Sequence, residues 1–119
     1  MQTVDNLWYT VNMIRLKIKP LSLNECYRGR RFKTPLLEAF KEEVCYLLPK
    51  KNITFKKIKV IYIFGVSSKN ADGDNLIKVF QDALSQKYAF NDKQIYKWDV
   101  EKVDVPKGSE FIEFDIMEM

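Results

Sequence analysis

Histidine is absent from the sequence, and cysteine occurs only at Cys26 and Cys45. The absence of histidine removes the commonest general base and the nucleophilic triads that depend on it. Two thiols without histidine argue against a structural zinc site, and neither cysteine has a neighbouring base that would activate it. We interpret both as reduced, partly buried thiols of an intracellular protein. Any catalysis must then use carboxylates, lysine, tyrosine or a hard metal ion.

Leader-like and membrane-spanning patterns are also missing. Residues 1–5 contain neither a basic nor an apolar region, so we predict no signal peptide. The longest apolar run, Val60 to Val66, is too short to cross a bilayer. We therefore expect a soluble, cytoplasmic protein without membrane contact.

Glycine and proline are scarce, with four residues of each. No repeat or low-complexity tract is visible, and a hydrophobic content of 46% argues against disorder. A chain of 119 residues has the size of one domain and can bury a core without disulfides. The formal net charge of +4 permits a polyanionic partner without demanding one. The position of the charges therefore matters more than their number.

Hydrophobic periodicity predicts six elements in the order β-α-β-α-β-β. This order favours an α/β (α+β) fold, a single domain over residues 1–119, with a mixed sheet and two packed helices. The predicted elements are a strand at 14–18, a helix at 34–48, a strand at 55–66, a helix at 72–87 and strands at 94–105 and 112–116. Residues 20–34 are expected to form a long, polar and basic loop.

The residues at the expected helix ends, and the pattern of apolar residues in the next strand, give further predictions for the first half of the chain. Thr34 as the N-cap and Pro35 in the first turn predict where the first helix begins, with Leu47 on its apolar face and Pro49 at its end. The strand at 55–66 is apolar on both faces at its centre, which predicts a position inside the sheet.

The third long strand changes phase along its length. Tyr96, Trp98 and Val100 share one face, whereas the apolar alternation continues at Val103. This change predicts a bulge between Val100 and Val103.

The most informative segment is Asp72-Gly73-Asp74, where a loop is predicted to enter the second helix. Two carboxylates two residues apart can point at one place, and Gly73 allows a ligand to approach closely. A hard divalent cation relieves the repulsion between such carboxylates, and Mg²⁺ prefers oxygen ligands and keeps several waters. One of those waters can attack a phosphodiester. The alternative is that Asp72 is only an N-cap and Asp74 only complements the helix dipole.

Lys78 and Asp92 are further candidates. Lys78 lies one turn after Asp74, either as a surface ion pair or as a cation that stabilises charge on a scissile phosphate. Asp92 is either ordinary turn chemistry or a third metal ligand. A helix from 74 to 87 is about 20 Å long, so Asp92 would have to return along it or serve the partner subunit of a dimer. The sequence leaves these possibilities open.

The segments 72–84 and 90–95 resemble the signature of RusA-family Holliday junction resolvases. That signature is D-x-D-N-x-x-K, then D-A-L, then Asn-Asp ahead of Q-[VI], and it is matched here by Asp72 to Lys78, by 82–84 and by Asn91 to Ile95. The loop at 20–24 resembles the proline-serine-asparagine loop of the family, and 106–108 resembles its final hairpin. The resemblance covers nearly the whole chain, densely from 72 to 95.

The resemblance implies a structure-selective endonuclease that resolves four-way junctions in DNA recombination and repair. It implies that Asp72, Asp74 and Asp92 are catalytic and bind Mg²⁺ or Mn²⁺, and that Lys78 is the essential lysine. It also implies a homodimer in which each subunit nicks one of two symmetric strands. The family often has a run of arginines before D-x-D, whereas residues 67–71 contain one basic residue, Lys69. That departure leaves the strength of DNA contact and the sequence preference open.

A cluster of positive charge lies in the segment 27–33. Arg28, Arg30, Arg31 and Lys33 fall within seven residues, together with two aromatic residues. Such a segment suits phosphate contacts and stacking on an unpaired base, and the alternative is a solvated loop. We predict that these four residues and Lys69 bind DNA.

Two other functions are consistent with the residues. One is a metal-dependent nuclease for flap DNA or RNA, which a cleavage panel of flaps, forks, four-way junctions and RNA would distinguish. The other is a nucleic-acid-binding module without catalysis, which would require the carboxylates to be purely structural.

Overall fold

The computed structural model describes residues 13–23, 27–28, 32–33, 35–68 and 72–119. Six strands, two helices and one short 3₁₀ turn lie within these ranges. They are β1 (Ile14–Leu16), β2 (Tyr27–Arg28), β3 (Phe32–Lys33), α1 (Pro35–Leu47), β4 (Ile58–Val66), α2 (Gly73–Tyr88), the 3₁₀ turn (Asp92–Gln94), β5 (Ile95–Asp104) and β6 (Phe111–Glu118).

Four of the strands form a mixed sheet in the order β1-β6-β4-β5. β4 pairs with β5 in parallel, whereas β1 and β4 are both antiparallel to β6. The strands β1, β4 and β5 therefore all finish at the same end of the sheet, which we call the carboxyl edge. Open α/β sheets commonly bind ligands at this end of their parallel strands.

One hydrophobic core joins the two helices to the sheet. Alternate residues of β4, including Val60, Tyr62 and Phe64, pack in one cluster with buried residues of α1 and α2. The ring of Phe80 on α2 meets Tyr62, Phe64 and Phe114 edge-on, at centroid distances of 5.5 to 6.0 Å. Edge-to-face contacts add to the free energy of burial and favour one orientation of α2.

The predicted fold class is confirmed: the sheet is mixed, two helices pack on it, and the long elements follow in the predicted order. β4 lies inside the sheet, as its doubly apolar pattern predicts. Its pairing begins at Ile58 rather than near residue 55, because the segment before it meets no partner strand among the described residues. Thr34, the predicted N-cap of α1, lies outside the described residues.

Four local predictions need correction. Residues 27–28 and 32–33 pair with each other as a short antiparallel ladder, in a segment that was expected to be only a loop. The register of β5 against β4 shifts between Ile95 and Lys97, not beyond Val100. Leu47 and Cys45 are exposed instead of packing on the core. Both lie at the end of α1, where the buried stripe continues through Val44 to Leu48.

Gly65 in β4 provides a test of this packing. It lies opposite Phe111 of β6, and a Cβ atom at this position would overlap the buried ring. Gly65→Ala should lower the free energy of unfolding by about 1–3 kcal/mol, since the ring cannot accommodate a methyl group without displacement. Gly73→Ala is the matched control, because nothing lies within 4 Å of a Cβ there. Equal denaturation midpoints for the two variants would contradict the assigned register of β4 and β6.

Candidate active site

Asp72 and Asp74 lie at the start of α2. Asp72 is the N-cap in an extended conformation, and its Oδ1 accepts a hydrogen bond from the backbone N–H of Asp74 at 3.2 Å. Its backbone carbonyl accepts from the N–H groups of Asn75 and Leu76. Both aspartates are exposed. The capping role that the sequence offered for Asp72 is thus observed, and this hydrogen bond occupies one of its two carboxylate oxygens.

Lys78 follows on the same helix and is also exposed. Within the described part of the chain it forms no ion pair, either with Asp74 or with another carboxylate. The surface ion pair that the spacing permitted is therefore not present.

Asp92 lies at the opposite end of α2. This helix of 16 residues is about 24 Å long, and Ile95, just after the 3₁₀ turn, pairs with Ile58 at the beginning of β4. The side chain of Gln94 donates to the carbonyl of Phe55 at 2.7 Å, which fixes the turn at this end of the sheet. Asp92 therefore does not return along the helix toward Asp74.

The described residues of one chain contain no group of three acidic, cysteine or histidine side chains that could hold a metal ion. Asp72 and Asp74 both lie at the start of α2, and Asp92 lies beyond its other end. A site with all three aspartates would need a second chain.

A hydrogen-bond network that runs from the buried Tyr62 to the exposed Trp98 links α2 to the sheet between these two ends. The side-chain oxygen of Gln81 accepts from the hydroxyl of Tyr62 at 3.1 Å and from the indole N–H of Trp98 at 2.9 Å. Burial raises the pKa of Tyr62 above its ordinary value, and the negative charge of Asp92 raises it further. Tyr62 is therefore a neutral donor. The sequence offered one signal for this network, a tyrosine within a buried strand, whose hydroxyl needs a partner.

The carboxyl edge also carries positive charge that the sequence analysis missed. Arg15, Lys17 and Lys19 line an open cavity of about 400 Å³ together with Gly108 to Phe111 of the β5–β6 hairpin. Arg15 donates to Glu113 at 2.8 Å and its guanidinium lies 3.9 Å from the ring centre of Phe111. Arg15 lies on β1 and the two lysines follow it. All three alternate with the buried residues Leu16 and Ile18, a pattern that is also typical of the solvent side of a strand.

Glu110 fastens the hairpin to the end of β4. Its carboxylate accepts from the hydroxyl of Ser67 at 2.6 Å and from the backbone N–H of Gly108 at 2.8 Å. The hydrogen bond from Ser67 is the largest cause of the lowered pKa of Glu110, and the nearby charge of Lys19 contributes. Glu110 is thus ionised, and its carboxylate is already engaged by two hydrogen bonds.

The predicted DNA-binding residues lie in and around the short β2–β3 ladder and before α2. Arg28 and Lys33 lie on the short β2–β3 ladder, whereas Arg30, Arg31 and Lys69 lie outside the described residues. Their role in binding stays a prediction.

Comparison with known families decides the affiliation of the chain. A family model described as endodeoxyribonuclease RusA matches residues 23–112. The chain belongs to the RusA family. The match spans the β2–β3 ladder, both helices and the start of β6, so it includes every predicted site residue and confirms the resemblance drawn from the aspartate motif. No curated protein matches the sequence. No helix in the described ranges is long and apolar enough to cross a membrane.

The capping role of Asp72 in this RusA-family chain is testable by stability alone. Asp72→Ala removes the acceptor of the Asp74 N–H and should lower the free energy of unfolding by about 1 kcal/mol, whereas Asp72→Asn should be nearly neutral because asparagine also caps. Urea denaturation of the metal-free protein measures both. If the alanine variant were as stable as wild type, Asp72 would not cap α2.

Proposed function

We propose that this protein cuts four-way DNA junctions by metal-dependent hydrolysis of phosphodiester bonds, in DNA recombination and repair. The observation that carries the proposal is the exposed pair Asp72 and Asp74 at the carboxyl edge, within the segment that matches the endodeoxyribonuclease family. Two carboxylates on an open surface suit a substrate as large as duplex DNA.

The two aspartates have the chemistry that Mg²⁺ or Mn²⁺ requires. Hard cations prefer carboxylate oxygens, and Mg²⁺ is commonly held by one or two carboxylates while it keeps several waters. The Oδ1 of Asp72 accepts the hydrogen bond of the cap, which restrains the orientation of this carboxylate. A bound divalent ion would activate a water and neutralise the phosphate.

The remaining groups act on the phosphate rather than on the metal. Lys78, one turn into α2 and without a carboxylate partner in the described structure, would stabilise negative charge that develops on the phosphate. The N–H groups at the start of α2 favour an anion at the same place. Lys17 and Lys19, at the same edge of the sheet, would hold the flanking backbone.

Two features of the substrate favour a homodimer. A four-way junction has two-fold symmetry, and resolution requires one nick in each of two symmetric strands. A dimer with one active end per subunit meets that requirement. We include Asp92 among the metal ligands on this basis, since only a second chain can bring it to Asp72.

Charge-removing substitutions separate chemistry from binding. Asp74→Asn should keep the fold, and its junction affinity without metal should not fall, because one negative charge facing the DNA is removed. Incision with Mg²⁺ should fall by ~10²-fold or more, because a metal ligand is lost. A gel shift measures the junction affinity, and a strand-incision assay measures the cutting rate. Asp72→Asn should behave in the same way.

Glu38→Gln is the matched control, because it also removes one exposed carboxylate from the first turn of a helix, α1, away from the motif. It should cut and bind like wild type. An Asp74→Asn protein that cuts like the Glu38→Gln protein would refute a metal role for this aspartate.

The segment between β2 and β3 can be tested through its salt dependence. Replacing Arg30 and Arg31 by Ala should weaken junction binding and make its salt dependence shallower, by roughly 0.9 in the log-log slope for each lost phosphate contact. Fluorescence anisotropy at several salt concentrations measures this slope. An unchanged slope would make the segment a solvated surface.

Selectivity for junctions distinguishes the proposal from its nearest rivals. A panel of flaps, forks, linear duplex and RNA should be cut much more slowly than a synthetic four-way junction. Preferential cutting of a flap or of RNA would be consistent with the proposed metal site but would refute the four-way junction as the substrate.

A further inference from the structure

One stretch of the chain carries lysines without any acid. Residues 44–71 contain six lysines and neither aspartate nor glutamate, although the formal net charge of the whole chain is only +4. Five of the six lie from Lys50 to Lys59, in the connection between α1 and β4 and at the start of that strand. The positive charge of the chain is therefore concentrated in a part that contains neither the D-x-D motif nor the basic segment at 27–33.

The fold brings lysines from other elements to the same place. The hydroxyl of Tyr88, the last residue of α2, donates to the carbonyl of Pro49 at 2.8 Å, and Gln94 of the 3₁₀ turn donates to the carbonyl of Phe55. The ends of both helices therefore meet the beginnings of β4 and β5 at one edge of the sheet, opposite the carboxyl edge, which we call the amino edge. Six lysines lie there and form what we call the amino-edge cluster: Lys50, Lys51, Lys56, Lys57, Lys87 and Lys93.

Most of this cluster is accessible to a ligand. Its exposed members are Lys50, Lys56, Lys57 and Lys93. Lys50 and Lys56 form no ion pair with a carboxylate of the described residues. Lys51 is the one member that pairs with a described carboxylate, that of Asp115, at 3.6 Å. Two further acids, Asp92 and Glu118, are exposed near the cluster, so the lysines outnumber the acids at this edge.

The surfaces next to the amino edge are acidic. On the side of the sheet that faces away from the helices, Asp99 and Asp115 flank Ile61, and Glu101 and Glu113 flank Ile63. On α1, the exposed charges include Glu38, Glu42 and Glu43. Soluble surfaces usually mix both signs of charge, whereas here the lysines are gathered at one edge and the acids lie beside it.

Such a cluster has the chemistry of a phosphate-binding surface. Ammonium groups held close together repel one another, and a polyanion relieves that repulsion. Duplex DNA carries one negative charge per about 1.7 Å of its axis, so it can meet several of the lysines at once. Lysine binds a phosphate as a point charge on a flexible stem, and backbone contacts of this kind position DNA without reading its sequence.

We propose that the amino-edge cluster is a second binding surface for the DNA backbone, which holds a duplex arm of the substrate while the D-x-D motif cuts. The surface follows from the charges and exposure of the cluster. That the arm belongs to a four-way junction rests on the proposed function.

Removal of two unpaired lysines tests the surface. Lys50→Gln/Lys56→Gln should weaken junction binding about tenfold or more at 0.1 M salt, and should make the log-log salt slope shallower by roughly 1.8 if each lysine contacts one phosphate. Lys50→Arg/Lys56→Arg keeps both charges and should bind like wild type. Fluorescence anisotropy of the metal-free proteins at several salt concentrations measures affinity and slope.

The control removes the same net charge elsewhere. Lys41→Gln/Lys102→Gln takes one charge from α1 and one from β5, outside the amino-edge cluster, and should keep the wild-type slope. An unchanged slope in Lys50→Gln/Lys56→Gln would overturn the proposal, as would an equal loss in the control. Circular dichroism checks the fold, and if the double variant did not fold, Lys50→Gln and Lys56→Gln would be measured singly, with an expected change in slope of about 0.9 each.

Incision at saturating protein separates binding from cutting. A surface that only holds DNA contributes to affinity and not to the chemical step, so Lys50→Gln/Lys56→Gln should nick a bound junction within about twofold of the wild-type rate. A fall as large as that expected for Asp74→Asn would place the lysines in the cutting site and overturn their separate role.

Neutral phosphates in the DNA locate the contact. Methylphosphonate linkages remove backbone charge, and a patch of them on the contacted arm should weaken binding by wild type but weaken binding by Lys50→Gln/Lys56→Gln much less, because that contact is already lost. If every patch weakened binding by the two proteins equally, the lysines would not touch the backbone. Backbone binding does not require a branch, so the change in slope should also appear with linear duplex. If wild type failed to cut a junction, the proposed function would fail, while the slopes would still decide whether the amino edge binds DNA.

Discussion

The parallel pairing of β4 with β5 is the constraint on which the rest of the structure depends. Parallel neighbours in sequence require a crossover, and α2 provides it by running back across the sheet from the end of β4 to the beginning of β5. The helix must therefore start at the carboxyl edge. The D-x-D motif lies exposed at that start, and the hydrophobic side of α2 packs against Tyr62 and Phe64.

The same crossover separates the motif into two parts. Asp72 and Asp74 precede α2, Asp92 follows it, and a well-packed helix of this length keeps the parts at opposite ends of one subunit. The homodimer proposed above would supply the second chain that a site with all three aspartates needs.

Strong local patterns made most of the fold predictable from sequence. The doubly apolar β4, the apolar stripes of the helices and the aspartate cap at 72 all depend on short-range periodicity or spacing, and each was located to within a few residues. The bulge at Tyr96 and the pairing of 27–28 with 32–33 depend on partners elsewhere, which periodicity does not report. Within the site, the position of D-x-D ahead of an apolar stripe predicted that both aspartates lie at the start of the second helix. The distance to Asp92, and the position of the cations on and just after β1 at the same edge, followed only from the sheet order.

Metal-dependent incision of a synthetic four-way junction by the wild-type protein tests the central claim most directly. With Mg²⁺ the account predicts nicks at symmetric positions in two opposing strands, no nicks in excess chelator, and little cutting of a linear duplex of the same sequence. Equal cutting with and without the metal, or an intact junction with Mg²⁺ present, would contradict it.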